Sequence, residues 1–215
     1  MSDVRLDFAQ EIYDISPVIN SELAVFPGDV PFRQETSLDQ NKGDHLYLSA
    51  MTTTLHIGAH ADAPLHYGKN APSIDVRSLR PYMGECQVVR VKTPMGQRIS
   101  LADFDVEVIK APRVLFKTES FYPYRWTDTF NSLSSEVIEA LVKIKSVTLV
   151  GIDTPSVDPH DSKNLESHQS LLQNDVSVLE GLDLEKVPEG MYQLIALPLK
   201  IQGADASPVR AILLR

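Results

Sequence analysis

The chain has 215 residues, 43% hydrophobic and 23% charged, the balance of a globular protein that can bury a core without disulfide staples. Its 20 Lys and Arg against 29 Asp and Glu leave a net charge of −9 with no basic cluster, which argues against nucleic acid and anionic membrane as partners. No apolar run reaches membrane-spanning length, residues 1–7 lack the basic and apolar regions of a signal peptide, and Cys86 is the single cysteine, so a cytoplasmic protein of one domain, 1–215, is expected.

In chain order, Glu11 to Ser16 alternates like a short strand and stops at Pro17. Val25-Phe26-Pro27-Gly28-Asp29 is a turn with an aromatic beside it. Leu46 to Leu55, rich in Thr and apolar residues, predicts a strand. A short helix is expected within 73–79, then strands at 86–91 and 113–118, with Cys86 a buried small hydrophobe. The 119–131 segment is a loop carrying Phe121, Tyr122, Tyr124, Trp126 and Phe130, read either as packing or as a substrate lid. Ser134 reads as the N-cap of a helix with Val137, Leu141 and Ile144 on one stripe, and 147–152 as a fully buried strand. Strand, helix and strand here predict a right-handed βαβ unit.

Gly151 to Pro159 is a double-proline turn. Asp153 and Asp158 are read as hydrogen-bonding that turn, with metal ligation the alternative, and His160 as a solvated loop residue outside any site. Ser167 is expected to cap a short helix with Leu171 and Leu172, ending at Asn174-Asp175 before a strand at 176–179. Such a turn-back lets His168 and Glu180 meet. Two strands, 192–199 and 208–214, close the chain. Strands outnumber helices without strict alternation, which predicts a mixed α/β fold: a mixed β-sheet with few helices.

The stretch His56-Ile57-Gly58-Ala59-His60-Ala61-Asp62-Ala63-Pro64-Leu65-His66 concentrates metal-ligand chemistry. Neutral imidazole and carboxylate oxygen are ligands that zinc and similar divalent ions accept. A flat strand would hold positions 56 and 60 roughly 13 Å apart, too far to share an ion, so the chain must tighten, which Gly58 permits. The expected arrangement is a strand to about Leu55, a compact turn presenting His56, His60 and Asp62, and Pro64 redirecting His66. No G-x-S-x-G elbow and no H-E-x-x-H occur, which argues against a serine α/β-hydrolase and a zincin.

This stretch resembles the H-x-G-x-H-x-D-x-P-x-H signature of the metal-dependent cyclase/formamidase family, and GAHADAPLHY is similar to its kynurenine formamidases, with Ala59 where many relatives have Thr. Segments 151–159, 167–184 (with -VLEGLDL-) and 203–207 resemble family segments as well. The resemblance implies a compact single-domain β/β/α, swivelling-domain-like fold, and a homodimer or higher oligomer. It also implies two divalent metal ions, foremost zinc: one held by His56, His60 and Asp62, the other by Asp62, His168 and Glu180, with Asp62 and Glu180 bridging. His66, not required as a ligand, becomes the general acid/base, since imidazole exchanges protons near neutral pH. Phe26 stands where many of these formamidases have Trp and is expected against the substrate, and Gln169 replaces a second histidine. The implied reaction is hydrolysis of N-formyl-L-kynurenine, a small molecule, to L-kynurenine and formate in tryptophan breakdown. A sibling hydrolase of other aryl or cyclic amides, and a metal-binding scaffold without catalysis, are the competing readings.

Overall fold

A computed structural model describes residues 11–215. The reading of residues 1–7 lies outside the described residues. The strands are β1 (Ile12–Asp14), β2 (Arg33–Leu38), β3 (Leu48–Thr52), β4 (His60–Asp62), β5 (Met83–Arg90), β6 (Arg98–Ile99), β7 (Arg113–Lys117), β8 (Ser132–Leu133), β9 (Leu149–Ile152), β10 (Ser177–Glu180), β11 (Gly190–Ile195), β12 (Ala206–Pro208) and β13 (Ile212–Leu214). Three α-helices accompany them: α1 (Pro64–Tyr67), α2 (Ser135–Lys145) and α3 (Glu166–Asn174). Nine strands form one sheet in the order β1-β13-β11-β5-β7-β9-β10-β4-β12. This is the expected mixed sheet with few helices.

The middle strands β5, β7, β9 and β10 run parallel, and both flanks are antiparallel. Apolar burial on both faces explains why β7 and β9 read as near-continuous hydrophobic runs. Alternate residues feed two cores: Val88, Leu115, Leu149 and Leu179 on one side, Val89, Val114, Phe116, Val150 and Val178 on the other. The second core takes Val137, Ile138 and Leu141 of α2. Ser134 caps α2, its hydroxyl accepting from the Val137 N–H at 3.4 Å. Helix α2 lies between β7 and β9, which pair in parallel with Leu115 opposite Gly151. At Gly151 a Cβ would come within 2.4 Å of Leu115 Cδ2, so a larger residue there would force the Leu115 side chain to shift. Burial of Cys86 pushes its thiol well above the ordinary range and keeps it protonated.

Several local expectations are corrected. His60 and Asp62 stand on strand β4 rather than in a turn; the chain tightens earlier, at Gly58, which takes φ +56°. The 46–55 strand stops at Thr52 and pairs with β2 in a separate, exposed ribbon. Only a single 3-10 turn, Ile74–Val76, forms within 73–79. The 208–214 run breaks in two, because β12 pairs with β4 at one end of the sheet and β13 with β11 near the other. Ser167 lies inside α3, whose cap is Leu165 at φ 50°; its hydroxyl instead donates to the Leu133 carbonyl at 2.7 Å.

Candidate metal centre

The pairing of β4 with β10 builds the floor of the site. In antiparallel register His60 sits opposite Glu180 and Asp62 opposite Val178, so period-two alternation sends His60, Asp62 and Glu180 to one face. Ala61 and Leu179, between them, point into the core. Helix α3 brings His168 over this face, and the Gly58 turn folds His56 back until its ring centroid is 5.2 Å from that of His60. Pro64 opens α1, which carries His66 to a ring-centroid distance of 4.2 Å from His56.

His60, Asp62, His168 and Glu180 are each no more than 3% exposed. The outer nitrogen of each buried imidazole is already occupied: His60 Nδ1 bonds the Gly58 carbonyl at 2.8 Å, and His168 Nδ1 bonds Asp158 Oδ2 at 2.8 Å. This leaves both Nε2 atoms facing inward. His60 Nε2 lies 3.3 Å from Glu180 Oε2 and 3.5 Å from Asp62 Oδ1; His168 Nε2 lies 3.4 Å from Glu180 Oε1 and 3.5 Å from Asp62 Oδ2. None of these contacts is aligned as a hydrogen bond at His60 Nε2, His168 Nε2 or either Asp62 oxygen. Buried polar atoms without partners are costly, and lone pairs that converge without bonding one another fit a shared cation. The residues present therefore suit the divalent metal that the resemblance implies.

Asp62 is common to two convergent groups, one with His60 and Glu180 and one with His56 and His66, whose ligand atoms lie within 4.8 Å of each other. His60 thus groups with Glu180, whereas the division implied by the resemblance joins it to His56. His56 Nδ1 is 3.0 Å from Asp62 Oδ1, and its Nε2 is 3.0 Å from Asp205 Oδ2. The same Asp205 oxygen lies 3.4 Å from His66 Nδ1.

The electrostatics state what the cluster demands. Burial opposes charge on Asp62, yet His168, His56 and His60 hold it well below the carboxylate range. Burial and the Asp62 charge work against ionised Glu180, but His168 and His60 keep it low. Burial likewise disfavours protonated His56, and Asp62 and Asp205 outweigh this, raising it to about 10. His168 is raised well above its ordinary value despite burial, by Asp158, Asp62 and Glu180. The carboxylates require positive charge at these nitrogens, which protons or a divalent cation can supply.

Above the cluster opens a cleft of about 1300 Å³ lined by His56, His60, His66, His168 and Glu180 on one side and by Phe26, Phe121, Tyr124, Trp126 and His160 on the other. Phe26 is 37% exposed and meets Trp126 edge-to-face at 5.1 Å. The 119–131 loop both packs and lines the cleft. The Tyr124 hydroxyl bonds the backbone of Val18 at 2.9 and 3.2 Å, and the Pro123 carbonyl accepts from Ala24 at 2.8 Å. His160, set aside by the sequence reading, borders this cleft. Gln169 donates to the Tyr67 carbonyl at 2.8 Å, tying α3 to α1.

Two site residues escaped the sequence reading. The carboxylate of Asp158, expected to bond its own turn or else to ligate a metal, accepts from His168 Nδ1, from the backbone of Ser167 and His168, and from Arg98. Asp153, expected to bond its own turn, accepts instead from Thr118 and Glu119 of the segment after β7. Asp205 lies in the 203–207 segment, which local sequence marks only by resemblance, and the β12–β4 pairing of Ala206 with Asp62 sets it beside the histidines.

A mixed sheet that buries converging imidazole and carboxylate groups under an aromatic cleft makes a candidate metal centre. The Cyclase family model matches residues 13–159. The kynurenine formamidase of Polaromonas naphthalenivorans (strain CJ2) is 44% identical over 204 residues, 94% of this chain and 90% of that protein; that of Bordetella pertussis (strain Tohama I) is 42% identical over 207 residues, 95% and 98%. The chain belongs to the Cyclase family and, within it, to the kynurenine formamidases. A structure described as a potential metal-dependent hydrolase with cyclase activity superposes with a TM-score of 0.79 at 26% identity, over 96% of this chain and 98% of that one. Isatin hydrolase A from Ralstonia solanacearum, 20% identical, shares the fold with a TM-score of 0.79 over 96% and 92%. Among the described residues no helix is long and apolar enough to cross a membrane.

Proposed function

We propose that this enzyme hydrolyses N-formyl-L-kynurenine to L-kynurenine and formate, using two divalent metal ions, foremost zinc, with His66 as general acid/base. The observation that carries the reading is the set of inward-facing atoms on His60, Asp62 and His168 without hydrogen-bond partners among the described residues, beneath an aromatic cleft, in a chain this similar to kynurenine formamidases.

His56, His60, Asp62, His168 and Glu180 would hold the ions. Held there, divalent ions would supply a lowered pKa for water and polarisation of the formyl carbonyl. The chain's own residues supply the rest. Phe26 and Trp126 offer flat surfaces to the aryl ring. Asp158 fixes His168, and the Gly58 carbonyl fixes His60, so that neither ring must reorganise during reaction. His66, 36% exposed at its side chain, reaches the cleft with Nδ1 held toward Asp205. It takes a proton from the attacking water and returns it to the anilide nitrogen as the C–N bond breaks, so the amine leaves neutral.

Homodimer formation and a cytoplasmic location belong to the same proposal. The β2–β3 ribbon exposes Tyr47, Leu48 and Met51, and a two-stranded ribbon is marginal unless covered. Substrate profiling tests the assignment. Fast turnover of N-formyl-L-kynurenine with little activity on isatin is expected; the reverse preference would replace it with a sibling cyclic-amide hydrolase.

A further inference from the structure

Apart from its histidines, the charged side chains lining the cleft are acidic with one exception. Its lining includes the carboxylates of Asp29, Glu119, Asp183, Glu185 and Asp205 beyond the metal cluster, and Arg125 is its sole Lys or Arg among the described residues. Arg77, Arg90, Arg98 and Arg210 each pair with a carboxylate, and Arg113 bonds backbone carbonyls. The Arg125 guanidinium makes no such bond among the described residues, although its backbone is firmly placed. Its N–H donates to the Tyr122 carbonyl at 3.1 Å, closing a β-bridge, and the neighbouring Tyr124 and Pro123 anchor that turn to Val18 and Ala24. A fixed turn thus presents a free planar cation at the aromatic side of the cleft, next to Trp126.

A guanidinium fork matches a carboxylate in shape as well as charge. We propose that Arg125 is a specificity-determining residue that binds the α-carboxylate of the substrate's amino-acid tail, selecting aryl formamides that carry such a tail over neutral ones. This rests on the formylkynurenine reading. With the formamide at the metal cluster and the aryl ring against Phe26 and Trp126, the tail lies toward the Trp126 side. There Arg125 attracts the carboxylate, while the surrounding acidic residues favour the ammonium and repel a carboxylate placed elsewhere.

The test compares steady-state kinetics of wild type, Arg125→Gln and Arg125→Lys on N-formyl-L-kynurenine and on N-formylaniline, which lacks the tail. Arg125 is exposed, so matching thermal melts are expected. Arg125→Gln is expected to raise KM for N-formyl-L-kynurenine about 10-fold or more, the effect of losing a charge-assisted pair, with Arg125→Lys recovering part of it. Its kcat/KM for N-formylaniline is expected to stay within about twofold, because no contact is lost. Unchanged KM for formylkynurenine, or equal losses on both substrates, would overturn the proposal alone. A wild-type enzyme inactive on formylkynurenine would overturn the underlying functional reading and the proposal with it.

Discussion

Gly181 follows Glu180, a proposed metal ligand, at φ +64°, and a Cβ there would sit 2.1 Å from the Gly58 carbonyl oxygen and 2.8 Å from its carbon. These are backbone atoms that cannot swing away. Restoring ordinary contact of 3 Å or more requires the two segments to part by roughly 1 Å, against a close-packed interior. The displaced carbonyl is the one that holds His60 Nδ1, so the movement carries directly into the metal cluster. For Gly181→Ala, left-handed backbone strain of roughly 1 kcal/mol adds to overpacking of about 1–3 kcal/mol. Loss of outer-shell support should weaken metal binding about 10- to 100-fold. Zinc affinity by chelator competition, measured beside thermal unfolding, reads both effects. Gly43→Ala is the control: at φ +97° with nothing within 4 Å, it should cost stability without altering affinity. A Gly181→Ala protein that unfolds earlier yet binds zinc as tightly as wild type would refute the link from Gly181 through Gly58 to His60.

Other expectations follow from the same geometry. His66→Ala should lower kcat about 10²- to 10⁴-fold with zinc content unchanged; loss of zinc would make His66 a ligand, as its approach to His56 and Asp62 allows. Asp205→Ala removes the carboxylate shared by His56 and His66 and should lower kcat roughly 10-fold or more, so full activity would remove it from the mechanism. Metal competes with protons at His56 and His168, both raised above the ordinary imidazole value, so zinc affinity must fall as pH falls. With His56 raised to about 10, affinity should keep rising above pH 8, and a plateau above pH 7 would contradict this. Without metal, the protonated His56 contributes stability present below its unfolded pKa and lost as pH rises toward about 10, a loss the zinc-loaded protein should not show.

What the sequence revealed divides along physical lines. Strands β7 and β9 and helix α2 were readable because burial on both sheet faces and a capped amphipathic stripe leave strong periodic signals. The 208–214 run looks like one strand because local propensity cannot say that Pro208 and Leu214 serve distant parts of one sheet. The dense 56–66 segment announced metal chemistry through residue type alone. Its conformation was less legible: His60 and Asp62 gain their strand from pairing with β10, a partner more than a hundred residues away. Asp158 beside Pro159 reads first as a turn residue, and Asp205 between two alanines carries no local mark. Only tertiary placement against His168, His56 and His66 gives them their roles.

The most direct measurement is zinc content together with the rate of N-formyl-L-kynurenine hydrolysis, taken before chelation, after it, and after zinc is returned. About two zinc ions per chain, turnover lost with the metal and restored on its return, is the predicted result. Undiminished turnover by thoroughly metal-free protein would contradict the account at its centre.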